Sequence, residues 1–350
     1  MELLTRQETP FNAEPALEHL PASWITPLRH FYVRMHGSIP VVDPALWTLS
    51  VEGMVERPLS ISLDRLRGEF GTSSVPATLQ CAGNRRREHA RTKAVGGVQW
   101  DGGAIGNAEW GGPRLGELLA RAGVKNGARF AWFEGVDEPM MGGKKTRFGA
   151  AIPLEKAMRP ETLVAVEMNG RPLTAEHGAP ARTIVPGYVG ARSVKWLGRI
   201  VVSDRTSDNP FSARDYKLFP PEVTAETVRW EEKEPILEYG ISSVICSPRS
   251  GAEVPAGRLK VRGYALSPVP LGRVQVSSDG GATWVDAAFE GRETPWSWRL
   301  WQAEVEVAKG ARVLAVRATD SRGGAQPETA PWNFKGYLYN GWHRVPVTAV

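Results

Sequence analysis

The stretch Thr78-Leu79-Gln80-Cys81-Ala82-Gly83-Asn84-Arg85-Arg86-Arg87 puts one thiol at the end of an apolar, β-prone run (Val75, Ala77, Leu79), with a block of guanidinium groups just behind it. A thiol ionises near pH ~8.5 in water, and neighbouring cations favour the thiolate. A thiolate is a soft metal ligand or a nucleophile. Guanidinium forks suit planar or tetrahedral oxyanions. The pattern predicts metal or nucleophile chemistry beside an anion pocket. The alternative is a buried, inert cysteine with solvated arginines behind it.

Two further stretches carry cations among β-prone or turn residues. In Phe31-Tyr32-Val33-Arg34-Met35-His36 an arginine and a histidine stand two apart, so a strand here would point both to one side. Between His177 and Leu197 glycine and proline punctuate short apolar runs while His177, Arg182, Arg192 and Lys195 recur. Backbone amides freed by glycine beside cationic side chains make an anion cradle. A strand with an exposed polar face, and a turn-rich loop with solvated bases, are the plainer alternatives.

The elements that must position these groups are short. Residues 1–30 are polar and proline-spaced, an extended lead-in. Strands are expected over 46–51, 130–134 and 163–168, the last closed by the Asn169-Gly170 turn. Helical spacing of Leu115, Leu118, Leu119 and Ala122 ends at Gly123, and shorter helices are expected at 63–66 and 154–158. Gly142 to Lys145 reads as a loop. Pro220-Pro221 breaks regular structure, and a domain boundary is expected near 225. Beyond it Leu259, Val261, Gly263 and Ala265 alternate with polar or aromatic residues, and Val274/Val276 and Val305/Val307 do likewise. That pattern, with the Asp279-Gly280-Gly281 turn, predicts an Ig-like β-sandwich over 226–350. Residues 1–225 form the first domain.

Composition narrows the function. The net charge is +5, with no block of five or six like charges and no groove-reading motif, so nucleic-acid binding is not expected. No run approaches a membrane span, and the N-terminus has no apolar signal core; a cytoplasmic protein is expected, or a periplasmic one if a leader has been removed. The two cysteines, Cys81 and Cys246, imply no disulfide framework or paired-cysteine zinc site, and Cys246 reads as a core residue.

Taken together these blocks resemble the sulfite oxidase family of molybdenum enzymes. The marks are Phe31 to His36, Cys81 to Arg86, Trp100-Asp101, Met168-Asn169-Gly170, His177 to Arg182, Pro186 to Trp196, Arg214 to Lys217, and the Trp332-Asn333 and Trp342-His343-Arg344 tail. The resemblance implies an α+β cofactor domain followed by the Ig-like domain, which commonly dimerises. It implies one molybdopterin, with Cys81 as the protein thiolate on molybdenum. It implies oxidation of sulfite to sulfate by oxygen-atom transfer, with two electrons leaving singly. Arg34, Arg86 and Tyr216 match the family's substrate pocket, and Trp100 its wall. Phe31, Tyr32, Arg34, His36, His177, Arg182, Arg192, Ser193, Val194 and Lys195 match pterin and phosphate contacts, and Asp137 is a further candidate. Lys335 stands where sulfite oxidases carry arginine and nitrate-reducing relatives an apolar residue; it keeps the charge without the planar fork. No haem-binding segment is expected in this chain, so electrons would pass to a separate acceptor such as a cytochrome or oxygen. The same cofactor acting on another oxyanion or an S- or N-oxide, and a cofactor-free anion- or partner-binding protein, are the competing readings.

Overall fold

Seven consecutive residues after Gly71-Thr72 are β-branched, small or apolar, and with Gln80 they form the strand Ser73–Gln80 that leads into Cys81. In the computed structural model, which describes residues 2–350, this strand pairs antiparallel along its whole length with Ile105–Gly112. Glu167–Met168 and Arg171–Pro172 complete a four-stranded sheet. A second, five-stranded sheet has the order Gly149–Pro153, Phe130–Gly135, Leu197–Ser203, Thr48–Gly53, Leu59–Ser62. The helix Leu115–Ala122 buries Leu115, Leu118, Leu119 and Ala122 on one face. It stops at Gly123, whose φ of 71° is the left-handed conformation that a C-terminal glycine supplies without strain.

From Ser242 onward the chain is a β-sandwich. One sheet holds Ser242–Ser247, Gly257–Leu266, Arg299–Val307 and Ala288–Glu290; the other holds Ala252–Val254, His343–Ala349, Gly310–Asp320, Leu271–Ser277 and Val285–Asp286. Its core (Val261, Val274, Val276, Trp301, Val316, Val345) comes from the inward-facing alternate positions of both sheets. A larger apolar cluster runs across the molecule, joining Ala82 and Ile105 to Val244, Cys246, Tyr264 and Trp298. The fold is therefore α+β followed by a sandwich, as expected. Among the described residues no helix is long and apolar enough to cross a membrane.

Four local expectations need correction. Phe31 to His36 is not a strand: it leaves the short 3-10 turn Leu28–His30 in extended form and makes a single bridge, Val33 to Ala13. The lead-in is tied down rather than loosely extended, with strands Leu4–Gln7 and Asn12–Glu14 paired and Glu14 fully buried. The strand expected over 163–168 divides at Val166: Leu163–Ala165 pairs with Arg182–Ile184, and Glu167–Met168 crosses to the Cys81 sheet. The loop at Gly142 carries a minimal hairpin, Met140–Met141 on Lys144–Lys145.

Candidate active site

The turn after Cys81 is held by groups drawn from distant parts of the chain. Cys81 N donates to Ala104 O at 2.9 Å, and Asn84 N to Cys81 O at 2.9 Å. The Asn84 amide accepts from Ala104 N (3.0 Å) and donates to the Tyr264 hydroxyl (3.0 Å), which in turn donates to Gly102 O (2.7 Å). Gly83 N points at Cys81 Sγ at 3.4 Å. Arg85, with φ 64°, turns the chain into the helix Arg86–Thr92, so successive arginines diverge. The expectation that all three bear on the thiol is not met. Arg85 is fully buried and paired to Glu88 at 2.6 Å, and the exposed Arg87 reaches Asp101 at 3.2 Å. Arg86 occupies a slot in which a Cβ on Gly83 would lie 2.6 Å from its Cζ and one on Gly336 2.7 Å from its Cγ. Its donors go to Val98 O (3.0 Å) and Lys335 O (3.2 Å).

Cys81 lies on the wall of a cleft between the extended segment after Leu28–His30 and the turns that follow His177. Phe31, Tyr32, Arg34, His36, Asp137, His177, Arg182, Ser193, Lys195 and Tyr216 line it with Cys81. The remaining expected residues stand behind or beside this wall. Trp100 is fully enclosed in the apolar cluster that includes Cys81 and Leu79. Val194 exchanges its backbone bonds with Thr183. Arg192 donates from Nε to Ile236 O (2.8 Å) and stands over the Tyr216 ring at 5.8 Å, so it supports the Tyr216 turn rather than the cleft. Lys335 Nζ lies 5.9 Å from the centroid of Tyr337, which stacks on Tyr216 at 5.3 Å.

The cleft is a cationic cavity with few carboxylates. Burial, with Lys195 and Arg182 nearby, drives His177 down to about 3. Burial and the Arg34 charge push His36 well below its ordinary value. Lys195 falls well below the usual lysine range, first through burial and then through Arg182. Burial lowers Arg182 to about 10. Asp137 is raised to about 6 by burial. Tyr216 is raised to about 12 by burial, and its hydroxyl lies 2.8 Å from His36 Nε2. Desolvated cations without counter-charges are costly, and an anion in the cleft would oppose the lowering at His36, His177, Arg182 and Lys195. Arg182 donates to His177 O and Ser193 O, both at 2.9 Å, while its Nε has no partner; Asp137 Oδ1 is likewise buried and unpartnered. A deep slot with a thiol at one end, unpaired cations and two unused buried polar atoms fits a phosphate-bearing heterocycle held to a soft metal. Cys81 is suited to hold the metal, and Arg182, His177 and Lys195 its anionic portion.

Such a site on this fold defines a molybdopterin-dependent oxidoreductase. Comparison with known proteins agrees. Residues 36–211 match the oxidoreductase molybdopterin binding domain, and residues 233–350 the Mo-co oxidoreductase dimerisation domain. The chain is 44% identical to mouse mitochondrial sulfite oxidase over 99% of its own length and 66% of that protein's. It is 38% identical to sulfite oxidase of Arabidopsis thaliana, covering 98% of this chain and 93% of that one. The crystal structure of the sulfane dehydrogenase SoxCD from Paracoccus pantotrophus superimposes with a TM-score of 0.84 at 27% identity, over 99% of this chain and 87% of that one. The chain belongs to the sulfite oxidase family of molybdopterin oxidoreductases, and its cofactor is Mo-molybdopterin. It spans about two thirds of the length of the mammalian relatives it matches.

The Tyr216 turn carries a site residue that sequence reasoning missed. Asp215 pairs with Lys335 at 2.5 Å. Its place beside Tyr216 was visible in the sequence, but nothing there signalled a partner 120 residues away.

Proposed function

We propose that this protein oxidises sulfite to sulfate and passes the electrons to a separate acceptor, a cytochrome or oxygen. Sulfite and water give sulfate, two protons and two electrons. The observation that carries the reading is Cys81 on the wall of a cleft also lined by Arg34, Arg182 and Lys195, none of which makes an ion pair among the described residues. The chemistry supplied by molybdopterin-bound molybdenum is two-electron oxygen-atom transfer. The chain's own residues do the rest. Cys81 holds the metal. Arg34 and Arg86 receive the oxyanion, each charge-assisted bond contributing about 1.5–3 kcal/mol. The Tyr216 hydroxyl donates to an oxygen at the reacting centre while His36, held neutral, donates its Nε2–H to the Tyr216 oxygen. Trp100 closes the pocket wall and keeps water out. Arg182, His177, Ser193 and Lys195 hold the phosphate, with Phe31, Tyr32, Val194 and Asp137 shaping the pterin slot. Arg192 positions Tyr216.

The same proposal divides the chain at about residue 225 and has residues 226–350 form a homodimer interface, which the match to a dimerisation domain supports. Molybdenum and pterin analysis of the purified protein, followed by steady-state turnover with sulfite and ferricyanide, tests the function. Negligible turnover by metal-loaded protein would overturn it. A second reading keeps the cofactor and replaces sulfite by another oxyanion or an S- or N-oxide. It is favoured by Lys335, whose charge is already engaged by Asp215.

A further inference from the structure

Outside the cleft, one group of side chains has the makeup of a metal site. Glu2, His19 and His30 each bring a ligand atom, and these atoms all lie within 4.8 Å of one another. Among the described residues they are the one such trio of His, Cys, Asp or Glu side chains. Three separate pieces of the lead-in deliver them. His19 sits in the 3-10 turn Leu17–Ala22, whose Leu20 and Pro21 are buried. His30 closes the 3-10 turn Leu28–His30, its N donating to Pro27 O at 2.9 Å. Glu2 is drawn in by its own backbone N, which donates to Arg29 O at 3.2 Å. The two imidazoles lie face to face, with centroids 4.4 Å apart and planes 10° from parallel. Such stacking suits neutral rings, the form that ligates metals. His30 Nε2 lies 2.9 Å from Glu2 Oε2, and Arg29 Nε only borders that oxygen, at 3.9 Å. The His30 side chain is 7% exposed and that of Glu2 66%, so the trio is anchored at one end and open to solvent at the other.

We propose that Glu2, His19 and His30 form a binding site for a divalent transition-metal ion of the zinc type. Two imidazole nitrogens and one carboxylate oxygen are its ligands, and water takes the fourth position. Zinc holds such ligands at about 2.0–2.2 Å in a tetrahedron, which sets them about 3.3–3.5 Å apart. Rotation of Glu2 and His19, the two less buried members, brings the trio to that spacing and tilts the rings out of their stack. The ion takes the place of the proton between His30 and Glu2. Phe31 and Tyr32, the next two residues, line the cofactor cleft. The site thereby ties Glu2 and His19 to the root of the cleft wall. It does not depend on the oxyanion-oxidase reading.

The test uses the full chain as purified, with its cofactor, as wild type, His19→Asn, His30→Gln and Glu2→Gln, each freed of loosely bound metal by a mild chelator. Zinc affinity and stoichiometry are read by calorimetry, and cobalt(II) supplies a visible spectrum. Wild type is expected to bind one zinc with micromolar affinity and to give cobalt the intense bands of a four-coordinate site. His19→Asn and His30→Gln should weaken zinc by about a hundredfold or more, and Glu2→Gln by about tenfold. Zinc should raise the Tm of wild type but not of His19→Asn. No micromolar zinc binding by wild type, or wild-type affinity retained in His19→Asn or Glu2→Gln as for an adventitious ion bound elsewhere, would overturn the inference. Glu2 and His19 are partly exposed, so their variants judge the site even where His30→Gln fails to fold.

Discussion

The two cysteines stand in two differently built regions. Cys246 lies in the sandwich strand Ser242–Ser247, fully enclosed, and burial raises its thiol well above the ordinary range. Its neighbourhood has the alternating inward residues of a stable core and ladders paired across nine positions between Gly257–Leu266 and Arg299–Val307, although Ser242 Oγ and Trp301 Nε1 are buried without a partner. Cys81 ends its strand at a cleft that departs from that pattern. There histidines are held neutral, Lys195 and Arg182 lack a full counter-charge, and Asp137 is held up to about 6. Sites that violate local stability rules inside an otherwise consistent fold mark where function is carried. A thiol's role is set by which kind of region surrounds it.

The sharpest way to break this contrast is to alter the two cysteines in parallel. Cys81→Ser removes the thiolate and is expected to cut sulfite turnover by more than about a thousandfold while the fold persists. Cys246→Ala should leave kcat unchanged and cost about 1–2 kcal/mol of unfolding free energy through a small cavity, read by urea titration. Retained turnover in Cys81→Ser would refute its assignment as ligand.

Two glycines sharpen the same comparison. A Cβ on Gly263 would lie 1.9 Å from Val244 O, a backbone atom that cannot retreat. Gly263→Ala is therefore expected to destabilise by about 4 kcal/mol or more. A Cβ on Gly83 meets only the end of the Arg86 side chain, at 2.6 Å. Gly83→Ala should keep its stability yet displace the guanidinium, raising KM for sulfite about tenfold. Thermal melts and steady-state kinetics on the two variants separate structural from functional close packing.

Acid sensitivity is shared between the cleft and the sandwich, where burial lowers His343 to about 4. His177 stays neutral in the fold down to about 3, against 6.5 for the free side chain. Between those values the unfolded chain binds one proton more, so stability of the cofactor-free protein falls as pH drops below about 6.5. His177 contributes up to about 1.4 kcal/mol per pH unit to that slope. Urea titrations of the cofactor-free protein at pH 7 and 5 should show the loss, and His177→Gln should reduce it. The smallest expected effect is at the pocket wall. Lys335→Arg restores a planar fork and should lower KM for sulfite by about threefold; an unchanged or raised KM would count against that geometry.

The sandwich was legible because period-2 alternation survives in each strand, and Leu115–Ala122 because its spacing and Gly123 stop are both local. Ile105–Gly112 was missed: its sequence, IGNAEWGG, looks like a turn, and only pairing with the Cys81 strand makes it a strand. Phe31 to His36 was misread for the converse reason, since β-prone residues had no strand partner beyond one bridge. The cleft's chemistry was visible as residue types, and Phe31 to His36, Cys81, His177, Arg182 and Lys195 do converge. What sequence proximity could not show is direction. Arg85 and Arg87 turn away from the thiol to Glu88 and Asp101, Arg192 backs Tyr216, and Asp215 finds Lys335 across the molecule.

X-ray absorption at the molybdenum edge asks most directly whether one sulfur of this chain binds the metal. Protein purified from a host able to make the cofactor should show one more sulfur neighbour on molybdenum than Cys81→Ser does. An unchanged sulfur count in that variant, or wild-type protein without molybdenum, would contradict the account.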